Sequence, residues 1–179
     1  HSFFFFDEIY KFPEKGISSI KIFMAYNGSP LHVDDGSYYR ILERAGEVGA
    51  TVFVHAENGE ILDFLRRECI KKGQTAPKYH YISRPPFTEA EGVRRAAYLA
   101  GKVGTPVYIA HVTCREALKE LIEARGNGVN INGETCTHYL TITKDVLDNP
   151  DFNEASKYVC SPALRDQEDI DALWDALNR

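Results

Sequence analysis

Four short runs of apolar and β-branched residues, each followed by turn residues and an amphipathic stretch, constrain this chain more than any other feature. The runs cover residues 18–26, 50–57, 106–113 and 129–135. Each is nearly continuous in apolar residues, which predicts strands covered on both faces, as parallel strands are. Between them, residues 35–48 set Tyr39, Leu42, Ala45 and Val48 at helical spacing, with Asp34, Asp35 and Ser37 as N-cap candidates. Residues 59–72 place Ile61, Leu62, Leu65, Cys69 and Ile70 on one side. Residues 88–103 open on Thr88-Glu-Ala-Glu91, which predicts a capping box, and stop at Gly104. Residues 115–125 and 167–177 complete the helical set, and 157–160 is a shorter strand candidate running into Ser161-Pro162. The proline-bearing segment 73–87 reads as an ordered excursion. Strand and helix in alternation, with short connections, predict a parallel α/β fold. Periodicity alone leaves open a small open sheet or an arc of a larger barrel.

Composition narrows the function classes. A chain of 179 residues, 44% hydrophobic, has room for one substantial core, so residues 1–179 are read as a single domain. A net charge of −5 gives no electrostatic footprint for nucleic acid. No window holds the ~18 apolar residues of a membrane span. Four cysteines lie far apart without a CxxC pair, which predicts reduced thiols and a cytoplasmic location. The chain starts at His1, and the phenylalanines at 3–6 are too short a run for a signal-peptide core, so the first positions are read as a truncated or altered edge.

Three residues carry the chemistry. Alternation puts Ser19, Lys21 and Phe23 on one face of the first strand and Ile20, Ile22 and Met24 on the other. A lysine inside such a run needs a carboxylate partner, or must lose its charge and become a reactive amine. His55 and His111 close the second and third runs, at the C-terminal strand edge where parallel α/β folds place ligands. Taken singly, each is an ordinary hydrogen-bonded histidine. Together with Lys21, on successive strands, two imidazoles at one edge can converge on one metal ion.

The strings Ser19-Ile-Lys-Ile-Phe-Met-Ala-Tyr-Asn-Gly28, Val54-His-Ala-Glu-Asn-Gly59, Ala110-His-Val-Thr-Cys114, Gly133-Glu-Thr-Cys-Thr-His-Tyr-Leu140 and Tyr158-Val-Cys-Ser-Pro162 stand in one order. In sequence and order they resemble the dihydropyrimidinase/D-hydantoinase branch of the amidohydrolase superfamily, from about Gly16 to the C-terminus. The resemblance implies a (β/α)8 barrel of the TIM type with two divalent metal ions, usually zinc, at its C-terminal mouth. It makes Lys21 a carboxylated lysine, its CO2-derived carbamate bridging both metals, and His55 and His111 ligands of one of them. Tyr26 matches a tyrosine that contacts substrate and stabilises the oxyanion, and Ser161 a serine whose backbone holds the cyclic diamide. The implied reaction is attack by a metal-bridging hydroxide on a dihydropyrimidine or hydantoin ring, giving an N-carbamoyl amino acid. A small-molecule substrate and a homotetrameric full-length protein follow from the same resemblance.

The family pattern also needs a His-x-His pair on the first barrel strand and an aspartate on the eighth, and no His-x-His occurs here. By family order the four runs are barrel strands four to seven. A whole barrel takes ~250 residues, so the chain is read as an internal fragment, inactive alone. Allantoinase and dihydroorotase are related alternatives, and a non-catalytic scaffold like the collapsin response mediator proteins is a third. Retention of Lys21, His55 and His111 speaks against the scaffold. Cys114 and Cys136 read as packed thiols, His32 and His80 as solvated loop residues, and His138 as a loop residue. Glu57 and Asn58 read either as groups supporting the metal ligands or as a turn and helix cap.

Overall fold

A computed structural model describes residues 3–178, with side chains from residue 6 onward. His1, on which the altered-edge reading partly rests, lies outside the described residues. The chain enters through helix α1 (Phe3–Glu8) and two 3-10 turns, with Phe6 and Ile9 buried. It then alternates: β1 (Ser19–Phe23), α2 (Asp35–Val48), β2 (Thr51–His55), α3 (Gly59–Lys71), a short α4 (Lys78–Ile82), α5 (Pro86–Val103), β3 (Val107–Ile109), α6 (Arg115–Gly126) and β4 (Ile131–Gly133). Short 3-10 turns, α7 (Phe152–Ser156) and α8 (Gln167–Leu177) follow.

All four strands are parallel and ordered β1-β2-β3-β4. Their register sets Lys21 beside Phe53, Phe53 beside Tyr108, and Tyr108 beside Asn132 in one row. Period-two alternation then sorts the sheet into two unlike faces. Ile22, Val52, Val54, Val107, Ile109 and Ile131 are buried with Tyr38, Ile41 and Leu42 of α2, Val93, Ala96 and Ala100 of α5, and Leu121 of α6. The opposite face carries exposed Lys21 and Asn132, with half-buried Phe53 and Tyr108 stacked at 4.6 Å between ring centroids. The expectation of cover on both faces is thus corrected: the sheet is packed on one face by helices of this chain. The apolar rings of the second face are what produced the near-continuous runs.

Local chemistry explains the helix boundaries. Asp34 caps α2 by accepting from Ser37 N at 2.7 Å, and Asn58 caps α3 by accepting from Ile61 N at 3.1 Å. α5 starts two residues before the expected capping box, with Pro85 at its N-cap and proline at its first position. Thr88 lies inside the helix, its hydroxyl donating to Pro85 O at 2.7 Å, so no box forms. Gly92 lets α5 press onto the end of β2: a Cβ there would stand 2.6 Å from Ala56 C and O. The strand expected at 157–160 is absent: α7 ends at Ser156, a turn takes up 157–158, and 159–160 run on without strand pairing.

Candidate functional site

The strand ends bring two imidazoles together. His55 is the last residue of β2 and is paired in register with Phe23. The third strand ends at Ile109, two residues sooner than the histidine, so His111 sits in the connection and not in the strand. Its backbone takes φ 45, in the left-handed region that residues with a Cβ seldom adopt. Among the described residues Tyr26, at φ 67, is the other non-glycine residue with positive φ, and it lies at the same edge. Strained backbones gather where a side chain must be aimed. Here the outcome is His55 Nδ1 at 3.2 Å from His111 Nε2, with the rings edge-on and their centroids 4.7 Å apart. Tyr26 and Phe23 close round His55, their ring centroids 5.3 Å and 5.6 Å from it.

Polar support for this pair comes from Glu57, fully buried, whose Oε2 is 2.6 Å from His55 Nε2. Burial alone would raise the Glu57 carboxyl, but the bond to His55 and the charges of Arg84 and Arg165 hold it below the usual carboxylate range. Burial, then His55 and Lys21, push His111 down to about 3. Its Nδ1 is buried without a hydrogen-bond partner. Lys21 is exposed on the open sheet face, its Nζ 5.5 Å from the Phe23 ring centroid. That corrects the expectation of a buried ammonium. The surrounding side chains still desolvate the amine enough to lower its pKa, against the opposing pull of Glu134 and Cys136. An amine so shifted is the more readily neutral, as addition of CO2 requires.

Ser161 is not brought to the histidine pair. Its peptide to Pro162 is cis, and its hydroxyl lies 3.4 Å from His80 Nε2. His80, expected to be solvated, is half-buried, with Nε2 2.6 Å from Cys160 O. Burial and the Arg84 charge lower its pKa. His32 is half-buried too, its Nδ1 3.2 Å from Ala25 O. Asn58 proves to be a helix cap that also donates to Glu91 at 2.7 Å. A cavity of about 250 Å³ is lined by Tyr26, Asn27, Leu62, Arg66 and Arg84 among others, and by neither histidine of the pair. A larger cleft of about 340 Å³ lies between α5 and α6, against Tyr98 and Lys102, remote from these histidines.

The largest polar feature that the residues did not announce is a buried ion pair. Arg165 Nη2 lies 3.0 Å from Glu89 Oε2, both side chains under 5% exposed. Thr113 completes it, donating its N–H to Glu89 Oε1 at 2.8 Å and accepting from Arg165 Nε at 2.9 Å. Burial pushes the Glu89 carboxyl up, opposed by Arg165 and Thr113. Cys114 is raised well above the ordinary thiol by burial, and Cys136 and Cys160 are raised as well, which disfavours thiolate nucleophiles. Among the described residues, no group of three or more His, Cys, Asp or Glu side chains is placed to hold a metal ion.

No protein-family model matches the sequence. The chain is 48% identical over 171 residues to a D-hydantoinase of Ralstonia pickettii, covering 96% of this chain and 37% of that protein. It is 35% identical over 175 residues to an allantoinase of Enterococcus faecalis, covering 94% and 38%. Among solved structures, the dihydropyrimidinase of Brevibacillus agri superposes with a TM-score of 0.95 at 42% identity, covering 99% of this chain and 38% of the other. The chain thus spans little more than a third of the length of the relatives it matches.

Proposed function

Because this chain belongs to the D-hydantoinase/dihydropyrimidinase family, we propose that it carries part of the active site of a metal-dependent cyclic amidase. Its four parallel strands form part of a (β/α)8 barrel wall, and the helix-free face of the sheet is the face turned inward in such a barrel. The reaction is hydrolytic opening of a hydantoin or dihydropyrimidine ring to an N-carbamoyl amino acid.

The observation that carries this reading is the approach of His55 Nδ1 to His111 Nε2 at 3.2 Å. Two nitrogens bound tetrahedrally to one zinc ion stand about 3.4 Å apart, so the pair fits a shared ion. His55, His111 and a carboxylated Lys21 would hold the metal centre, with Lys21 reaching a second ion. Zinc there would polarise the ring carbonyl and lower the pKa of water. Desolvation lowers the pKa of the lysine amine, which would give up one proton to become neutral, add CO2 and lose a second proton, turning a cation into an anionic donor. Tyr26, beside His55 on a strained backbone, would donate its hydroxyl proton to the carbonyl oxygen as charge develops there. Ser161 would hold the diamide through its backbone. The free thiols among the described residues favour a reducing, cytoplasmic setting, and assembly as a homotetramer follows the family.

No His-x-His occurs in these 179 residues, so the chain by itself is expected not to turn over hydantoin, even with zinc and bicarbonate supplied. Measurable hydrolysis by the purified chain would contradict that division of the site. In a longer polypeptide containing this sequence, turnover of hydantoin or dihydrouracil above allantoin and dihydroorotate is the expected result. Preference for allantoin would move the assignment to the 35%-identical allantoinase branch.

A further inference from the structure

Glu57 has no part in the chemistry above, yet it is a fully buried carboxylate in contact with His55. It is 0% exposed, and its backbone is clamped. Asn58 N donates to Thr88 O at 2.9 Å while Asn58 caps α3, and α5 passes so close at Gly92 that an added Cβ would meet Glu57 N at 2.9 Å. One carboxylate oxygen is 2.6 Å from His55 Nε2 and the other is buried without a partner. A carboxylate offers only acceptor sites, so the proton in this contact belongs to His55 Nε2. In the neutral ring that leaves a lone pair on His55 Nδ1, positioned to accept from His111 Nε2, 3.2 Å away.

We infer that Glu57 is a positioning residue that locks His55 in its Nε2–H tautomer and aims the Nδ1 lone pair into the space shared with His111. The consequence for zinc rests on the function proposed above; the tautomer does not. Partners of this kind, which fix a ligating imidazole through its other nitrogen, change metal affinity about 10–100-fold when replaced.

Histidine 15N NMR on the full metal-free chain reads the tautomer directly. The wild type is expected to carry its His55 proton on Nε2, and a proton on Nδ1 would overturn the inference. In Glu57→Gln the amide can donate where the carboxylate could not, so the proton moves toward Nδ1 and Zn2+ affinity, measured with zinc alone, falls about 10–100-fold. Glu57→Asp keeps an acceptor and is expected to restore the Nε2–H form. An unchanged tautomer with unchanged zinc affinity in Glu57→Gln would refute the role. If Glu57→Gln does not fold by circular dichroism, wild type and Glu57→Asp decide: both must show Nε2–H. A wild type that takes up no zinc sinks the metal reading, while the tautomer still settles the role of Glu57.

Discussion

His111 brings together a left-handed backbone, an unpartnered buried Nδ1 and a pKa pushed down to about 3 by burial, His55 and Lys21. Its folded form resists a proton that the unfolded chain accepts near pH ~6.5. The stabilisation is therefore present above that pH and drains away as pH falls from there toward about 3. His80 shifts the same way, through burial and Arg84. The urea midpoint of the metal-free chain should accordingly fall between pH ~6.5 and ~5, above the range where most carboxylates titrate. His111→Gln should flatten that slope. A flat wild-type profile, or a variant as steep as the wild type, would contradict the assignment. The histidine pair was legible because two histidines closed two successive strand runs. Its aim was not, since it depends on one backbone torsion after β3.

Helices and strands set where those residues stand. The closest approach of α5 to β2 is at Gly92, where even a methyl group would meet Ala56 backbone atoms at 2.6 Å. Gly92→Ala should cost about 1–3 kcal/mol by overpacking, more than the gain in helix propensity returns. A urea midpoint equal to the wild type would show that α5 can shift. Asp34→Ala removes the cap of α2 and should cost about 1 kcal/mol in the same assay. The boundaries of α2 could be read from its period and the Asp34 cap, and those of α8 from the spacing of its apolar residues. The start of α5 could not: Pro85-Pro86 fixes the first turn, which overrides the Thr88-Glu91 pattern. The run at 157–160 misled for a simpler reason. Tyr158, Val159 and Cys160, in the turn and the irregular chain after it, look like a strand when the neighbouring helix is too short to show a period.

For the molecule as a whole, the buried Arg165–Glu89 pair ties the C-terminal segment to α5 and to the loop carrying Thr113, two residues after His111. Nothing in the sequence pairs two charges 76 positions apart, so only packing reveals it. Arg165→Leu should destabilise the fold by about 3–5 kcal/mol, since it strands a buried carboxylate. The double variant Glu89→Met/Arg165→Leu should recover much of the loss. A single variant as stable as the wild type in urea would mean that the pair does not hold these elements together. The row of exposed Lys21 and half-buried Phe53 and Tyr108 belongs to the same scale, in a chain that spans 37% of the length of its D-hydantoinase relative and is proposed to form one wall of a pocket. Whether that wall binds metal as proposed is open to one direct measurement, a zinc titration of the chain followed by histidine 15N NMR. The account predicts that His55 Nδ1 and His111 Nε2 shift together and saturably while His32, His80 and His138 stay unmoved. Zinc that shifts other histidines, or only one of the pair, would contradict it.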